Sequence, residues 1–436
     1  MAEAIVNEKR HPRGLYLLFG VEMWERFSYY GMRSLLVLYM TKQLLFSTEK
    51  SGSVYGWYTG LVYLTPLLGG YLADRYLGAR KCILIGGTLM ALGHFTMAFE
   101  PLPFFYSALL LLILGNGFFK PNISTTVGQL YHENDSRRDG GFTIFYMGIN
   151  LGAMFSPLVC GTLGEKIGWH YGFAAAGVGM VAGLLMYMWG QKKFLGDAGL
   201  YPANAPKSGG EAHHQEPLTT EEKHRIAVIF IMAFFVIFFW ASFEQAGSSL
   251  TLFAEHSTDR MIHFLNWEFP TSWFQAVNPF LILVLAPMFS GVWSRLARKD
   301  RDLSTPHKFV LGLSLLAFGF VVMIVAGGIV DKTNAKVGLI WLMAAYFLHT
   351  AGELCLSPIG LSMVTKLSPA RFASLMMGTW FGANFLANLF GGLFAGNYDT
   401  MTKAYFFSIP VITAGGAAFV LLLLSPKLKK WMHGVH

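Results

Sequence analysis

Apolar residues in this chain come in twelve long runs of about twenty, the length an α-helix needs to cross roughly 30 Å of hydrocarbon, and polar residues collect in the gaps between them. The runs lie at about 15–44, 53–73, 80–99, 103–128, 141–164, 170–191, 226–254, 271–295, 308–330, 337–366, 372–396 and 402–424. A β-barrel would instead show short segments of alternating polarity. The pattern therefore predicts an all-α membrane protein with twelve transmembrane helices. One long polar interruption divides it into a six-helix bundle over 1–192, a cytoplasmic linker over 193–225 and a second six-helix bundle over 226–436. Transporters whose two halves rock about a central site are arranged in this way.

Composition agrees with that picture. Of the 436 residues 54% are hydrophobic and only 13% charged, about half the charged share of a soluble domain. Most of the 33 Lys and Arg fall in tails and connections on one side when the N-terminus is placed inside, and basic residues accumulate on the cytoplasmic side. Both termini are thus expected in the cytoplasm. The net charge of +8 follows from this bias and carries no case for nucleic-acid binding. Cys82, Cys160 and Cys355 stand far apart, with no metal or disulfide spacing. The basic N-terminus lacks a short apolar core followed by a cleavage site, so the first span is expected to stay as an anchor.

Charges inside the spans change the picture most. An ionisable group at the bilayer centre costs about 2.5–3.5 kcal/mol on insertion scales and usually faces a functional cavity. In the first span Glu22, Glu25, Arg26, Tyr29, Tyr30 and Arg33 share one helical face. The fourth span aligns Asn116, Lys120 and Ser124, and the fifth aligns Tyr146 and Asn150. Trp240, Glu244, Ser248 and Thr251 recur along the seventh, Gln275 and Asn278 lie in the eighth, and His349, Glu353 and Ser357 are in register in the tenth. The eleventh has Trp380, Asn384 and Asn388. Glu22 and Arg26, four apart, could simply neutralise each other. Lys120 has no acid within a turn of its own helix. His94 and His349 read as packing residues. Cations mainly on the first half and carboxylates on the second would suit a zwitterion held between them.

Two motifs carry a family resemblance. Gly69-Gly70-Tyr71-Leu72-Ala73-Asp74-Arg75-Tyr76-Leu77-Gly78-Ala79-Arg80-Lys81 resembles the signature loop of the major facilitator superfamily, with a degraded echo at Gly291 to Arg301. Glu22-Met23-Trp24-Glu25-Arg26-Phe27-Ser28-Tyr29-Tyr30-Gly31 resembles the E-x-x-E-R-F-x-Y-Y-G signature of proton-dependent oligopeptide transporters. Further matches occur at Tyr63, Gly117 to Asn122, Phe145 to Gly152, Trp240 to Gln245, Asn278-Pro279, Gly352 to Leu361 and Trp380.

The resemblance implies the major facilitator fold and a set of roles. Lys120 and Arg33, with Tyr29 and Tyr63, would receive a peptide carboxylate; Glu353, aided by Asn150 and Asn278, would receive the ammonium, and Tyr30 and Ser357 would also belong to the peptide site. Trp240 and Trp380 would line side-chain pockets. Glu22, Glu25, Arg26 and Glu244 would handle the proton, and the pairs Arg33/Glu244 and Lys120/Glu353 would act as gates. The polar linker is too short and polar to hold the extra two-helix hairpin of many bacterial relatives, and the connection near Asp331 to Lys336 leaves no room for the outer domain of animal ones. A bacterial inner membrane is therefore expected. The function expected is a non-enzymatic proton symporter for di- and tripeptides, working as a monomer in lipid by alternating access, with protons as coupling ion and no other cofactor. The alternatives are a proton-coupled carrier of another small anion such as nitrate, and a peptide sensor that does not transport.

Overall fold

The computed structural model describes residues 10–132, 135, 137–202, 218–299, 302–369 and 372–434. The middle of the expected linker (203–217) and Arg301 of the second-half echo lie outside the described residues. Twelve long helices are present among those described: α1 Arg13–Lys42, α2 Thr48–Leu72, α3 Ala79–Thr96, α4 Leu102–Gln129, α5 Arg138–Lys166, α6 Trp169–Phe194, α7 Thr220–His256, α8 Phe274–Ala297, α9 Thr305–Thr333, α10 Ile340–Leu367, α11 Ala373–Ala395 and α12 Lys403–Trp431. Seven of them, α4 to α9 and α12, are long and apolar enough to cross a membrane by length and composition alone. Their outward sides carry Leu110, Phe234, Ile412 and Phe419, each more than half exposed. Such side chains belong in lipid, where a helix can satisfy its backbone polar groups internally.

Several helix ends depart from the run boundaries. α7 starts at Thr220, inside the stretch read as linker. A capping box explains it: Glu222 N donates to Thr219 Oγ1 at 3.1 Å and Thr219 N donates back to Glu222 Oε2 at 2.9 Å. α12 continues to Trp431 beyond its apolar run, carrying Lys427, Lys429 and Lys430; all three are exposed, and Lys427 Nζ lies 4.5 Å from the Trp431 ring centroid. Outside the helices, two-residue ladders pair Thr258–Asp259 with Val337–Gly338 and Met261–Ile262 with Trp267–Glu268.

The chain condenses into two compact units. The first comprises 1–31, 65–156 and 173–209; the second comprises 32–64, 157–172 and 210–436. These do not coincide with the two sequence halves, because the last turns of α1, the first turns of α2 and the end of α5 pack onto the second half.

In the first unit α3 packs along α4, and α2 meets α4 through glycine. A Cβ on Gly117 would lie 2.6 Å from Thr65 Cβ, too close for any other residue. After a π-helical turn at Ala73–Leu77, Gly78 takes φ +77°, a conformation that favours glycine. Arg80 then anchors the chain that follows α6, donating from Nε to Ala198 O at 2.8 Å. The basic loop thereby fastens the start of the linker to α3.

In the second unit α9 packs on α10 and α12, and α7 on α11. α2 reaches α11 across a glycine seam. A Cβ on Gly52 would fall 2.5 Å from Gly392 O, and one on Gly56 would fall 2.9 Å from Leu389 O. Close approach over small residues is how membrane helices associate without a hydrophobic drive. Gly392→Val is expected to destabilise the folded protein by about 1–3 kcal/mol through overpacking, visible as a lower melting temperature in detergent. An unchanged melting temperature would mean the seam carries no packing energy.

Candidate functional site

The first unit buries three charged side chains in two turns of α1. Glu22, Glu25 and Arg26 are 2%, 0% and 3% exposed. Arg26 Nε stands 3.0 Å from Glu22 Oε1 and is in ionic contact with Glu25 as well. Asn116 of α4 donates to Glu25 Oε1 at 3.3 Å. Gly152 of α5 leaves room for this cluster, since a Cβ there would lie 2.9 Å from Phe27 N and 3.0 Å from Arg26 Cβ. The i, i+4 pair is therefore one side of a triad, and two carboxylates on a single guanidinium leave an excess negative charge. Lys120, half-buried on α4, lies within electrostatic reach of both Glu22 and Glu25. Counting Lys120, the four formal charges sum to zero, and a near-neutral group is the arrangement a low-dielectric site tolerates best.

The remaining first-unit candidates lie on the same helices. The Arg26 guanidinium is 5.4 Å from the Tyr29 ring, which meets Tyr30 edge-on at 5.1 Å. Asn150 of α5 donates to its own helix at Tyr146 O, 3.0 Å away, leaving its carbonyl oxygen as the acceptor, while the Tyr146 ring is exposed.

In the second unit Arg33, two turns beyond Arg26 on α1, is in ionic contact with Glu244 of α7, and both are buried. Arg33 Nε also donates to Tyr55 Oη on α2 at 2.8 Å. α7 breaks its regular winding here, passing through a 3₁₀ turn at Glu244–Gly247. Gly247 is required: a Cβ would lie 2.8 Å from Tyr55 Cζ and 3.1 Å from Arg33 Nη2. The break shifts the register beyond Glu244, so Thr251 Oγ1 donates to Ala246 O, five residues back, at 2.9 Å.

A second acid stands nearby. Glu353 on α10 is 8% exposed and accepts from Asn278 Nδ2 of α8 at 2.8 Å; the same amide donates to Thr350 Oγ1 at 3.0 Å. Glu244 lies within electrostatic reach of Glu353. Ser357 is half-buried one turn further along α10, Tyr63 is half-buried on α2, and Trp240 is half-buried between Phe239 and Phe243 with edge-on contacts at 5.3 and 5.2 Å. Trp380 is 7% exposed, its ring set over Gly360, where a Cβ would fall 2.5 Å from Cζ2. The two histidines read as packing residues are both buried. His94 is hydrogen-bonded to Ser28 at 2.7 Å, and His349 packs its ring on Phe320 with centroids 4.6 Å apart.

Two groups around these acids escaped sequence reading. Tyr55 sits in an unremarkable apolar run and shows its importance only through its fit over Gly247. Thr350 lies three residues before Glu353, a helical spacing that could have found it. Among the described residues no group of three or more His, Cys, Asp or Glu could hold a metal ion.

Comparison with known proteins places this geometry. The pattern of the POT family matches residues 80–198 and 210–412. A peptide transporter of Yersinia enterocolitica subsp. palearctica is 35% identical over 95% of this chain and 94% of its own. A di-/tripeptide transporter of Lactococcus lactis subsp. cremoris is 32% identical over 97% of each. The crystal structure of a peptide transporter POT in complex with sulfate superposes with a TM-score of 0.91 at 33% identity, covering 97% of this chain and 96% of that one. The protein is a multi-pass membrane transporter with the twelve-helix major facilitator fold, not an enzyme, and it belongs to the POT family.

Proposed function

We propose that the protein imports di- and tripeptides together with protons, by alternating access between two six-helix halves, 1–192 and 226–436, joined by a cytoplasmic linker. The observation that carries this reading is a division of charge. Lys120 lies within electrostatic reach of a buried Glu22–Glu25–Arg26 triad in the first unit, and Glu353 is held by Asn278 in the second. A zwitterion would take Lys120 by its carboxylate and Glu353 by its ammonium. The peptide transporters among the relatives support the substrate class.

Charge counting suggests how a proton is coupled. With Lys120 included, the first-unit cluster is neutral when both acids are ionised; a peptide carboxylate taken by Lys120 leaves it one negative charge in excess. A proton on Glu22 or Glu25 restores neutrality. At the other terminus the ammonium is placed against Glu353 with Asn150 assisting, while Tyr29, Tyr30, Tyr63 and Ser357 supply hydroxyls, and Trp240 and Trp380 border the side chains. The end of the molecule where α1, α5 and α7 finish is assigned to the outside, with both termini in the cytoplasm of a bacterial cell. Arg33 and Glu244 then close that end, and a single chain completes the cycle.

Recognition of both ends makes a test available in liposomes. Free dialanine is expected to compete with labelled dialanine in counterflow, while N-acetyl-dialanine and dialanine amide compete poorly. Loss of one charged partner in a buried contact costs about 2–5 kcal/mol. Equal competition by blocked and free peptides would remove the two-ended reading.

A further inference from the structure

We infer that Glu165, at the end of α5, is a positioning residue of the outer gate: it latches the first half to the start of α8 and must let go each time the outer face opens. The inference rests on the alternating-access reading above but concerns residues that this reading does not use. Both oxygens of Glu165 are engaged by backbone donors. Thr271 N donates to Oε2 at 3.0 Å and Ser272 N donates to Oε1 at 2.7 Å. These two amides open the 3₁₀ turn Thr271–Trp273 that leads into α8, so a first-half acid satisfies donors that α8 cannot satisfy itself.

Neighbouring contacts tighten the same seam. Trp273 Nε1 donates to Thr162 Oγ1 of α5 at 2.9 Å. Gly161 stands directly against Ser272, where a Cβ would fall 2.7 Å from Ser272 Cβ. Thr271 is shared with another inter-half pair, donating from Oγ1 to Glu255 Oε2 at 2.5 Å while Glu255 Oε1 is 2.5 Å from Lys42 Nζ on α1. Thr271 and Ser272 are fully buried.

The arrangement differs from an ordinary structural cap, and the same protein supplies the comparison. Asp331, at the end of α9, receives Lys403 N and Ala404 N at 2.9 Å each at the start of α12. That cap joins two helices of one sequence half and can persist through a rocking motion. Glu165 makes the equivalent cap between helices of opposite halves. Separation of those halves at this end has to break it.

The test uses the full chain in liposomes with a reporter pair, Lys166→Cys and Glu268→Cys, chosen because Lys166 Nζ and Glu268 Oε2 are 3.7 Å apart and the side chains are 43% and 45% exposed. A short bifunctional maleimide is expected to join the pair, and the joined protein is expected to lose dialanine counterflow. Adding E165Q keeps the side-chain shape but replaces one acceptor oxygen with an amide nitrogen, which donates and cannot accept; it should slow crosslinking about tenfold, the size of effect expected for a hydrogen bond to a charged group. T162V, which strands the Trp273 donor, should shift it the same way by a smaller factor and serves if E165Q does not fold. Undiminished counterflow after crosslinking, or crosslinking unaffected by both substitutions, overturns the latch. If the uncrosslinked protein shows no dialanine counterflow, the peptide reading fails, and the crosslinking rates of the two variants alone decide the latch.

Discussion

Arg33→Ala is expected to reduce dialanine uptake by two orders of magnitude or more while leaving the protein folded. Arg33 and Glu244 are buried and in ionic contact, and Arg33 also donates to Tyr55 Oη at 2.8 Å. Deleting one member of a buried pair typically costs about 3–5 kcal/mol, because the partner is left charged and uncompensated. That cost falls on the state in which the two meet. The closed-outer state is destabilised, and the population moves toward states in which Glu244 can reach water. Two controls separate this from general damage. The double variant Arg33→Ala/Glu244→Ala removes both charges and should recover part of the lost activity. Cysteines beside the two positions should crosslink less readily in the single variant. Uptake within twofold of the parent in Arg33→Ala would mean the pair does not gate.

Glu25→Gln is expected to abolish gradient-driven accumulation while sparing counterflow. Glu25 is fully buried, shares Arg26 with Glu22 and receives Asn116 at 3.3 Å. The amide occupies the same space but cannot exchange a proton. The cluster then carries the charge it has when protonated, so peptide can bind and the halves can still rock. Counterflow, which needs no net proton movement, should stay within a few-fold of the parent; accumulation against a gradient should fall to equilibration. Glu22→Gln should act similarly, since both acids contact the same guanidinium. Equal loss of both activities in a protein of normal melting temperature would assign these acids to structure or binding rather than to coupling.

Much of this organisation could be read from residue order. Twelve apolar runs gave twelve helices, since in lipid a span has to satisfy its own backbone. The face containing Glu22, Glu25, Arg26 and Arg33 was legible because charges in an apolar run are rare enough to be read singly. What periodicity misses is where regular winding stops. Periodicity puts Glu244 in register with Ser248 and Thr251, yet the chain leaves the α-helix at Glu244–Gly247. No proline marks the spot; what stands there is the close fit of Tyr55 and Arg33 against Gly247. Glu165 was equally silent, lying near a predicted span end where an acid is ordinary. Its meaning comes from two amides more than a hundred positions away. The early start of α7 was available in principle, from Thr219 and Glu222 at capping-box spacing.

The central claim is coupling of peptide entry to protons, and accumulation of labelled dialanine in liposomes under an imposed inward proton gradient tests it most directly. The account predicts an internal concentration well above the external one, carried as net inward charge because a neutral peptide travels with a proton, and collapsing to equality when a protonophore is added. A steady-state ratio that the protonophore leaves unchanged would contradict it.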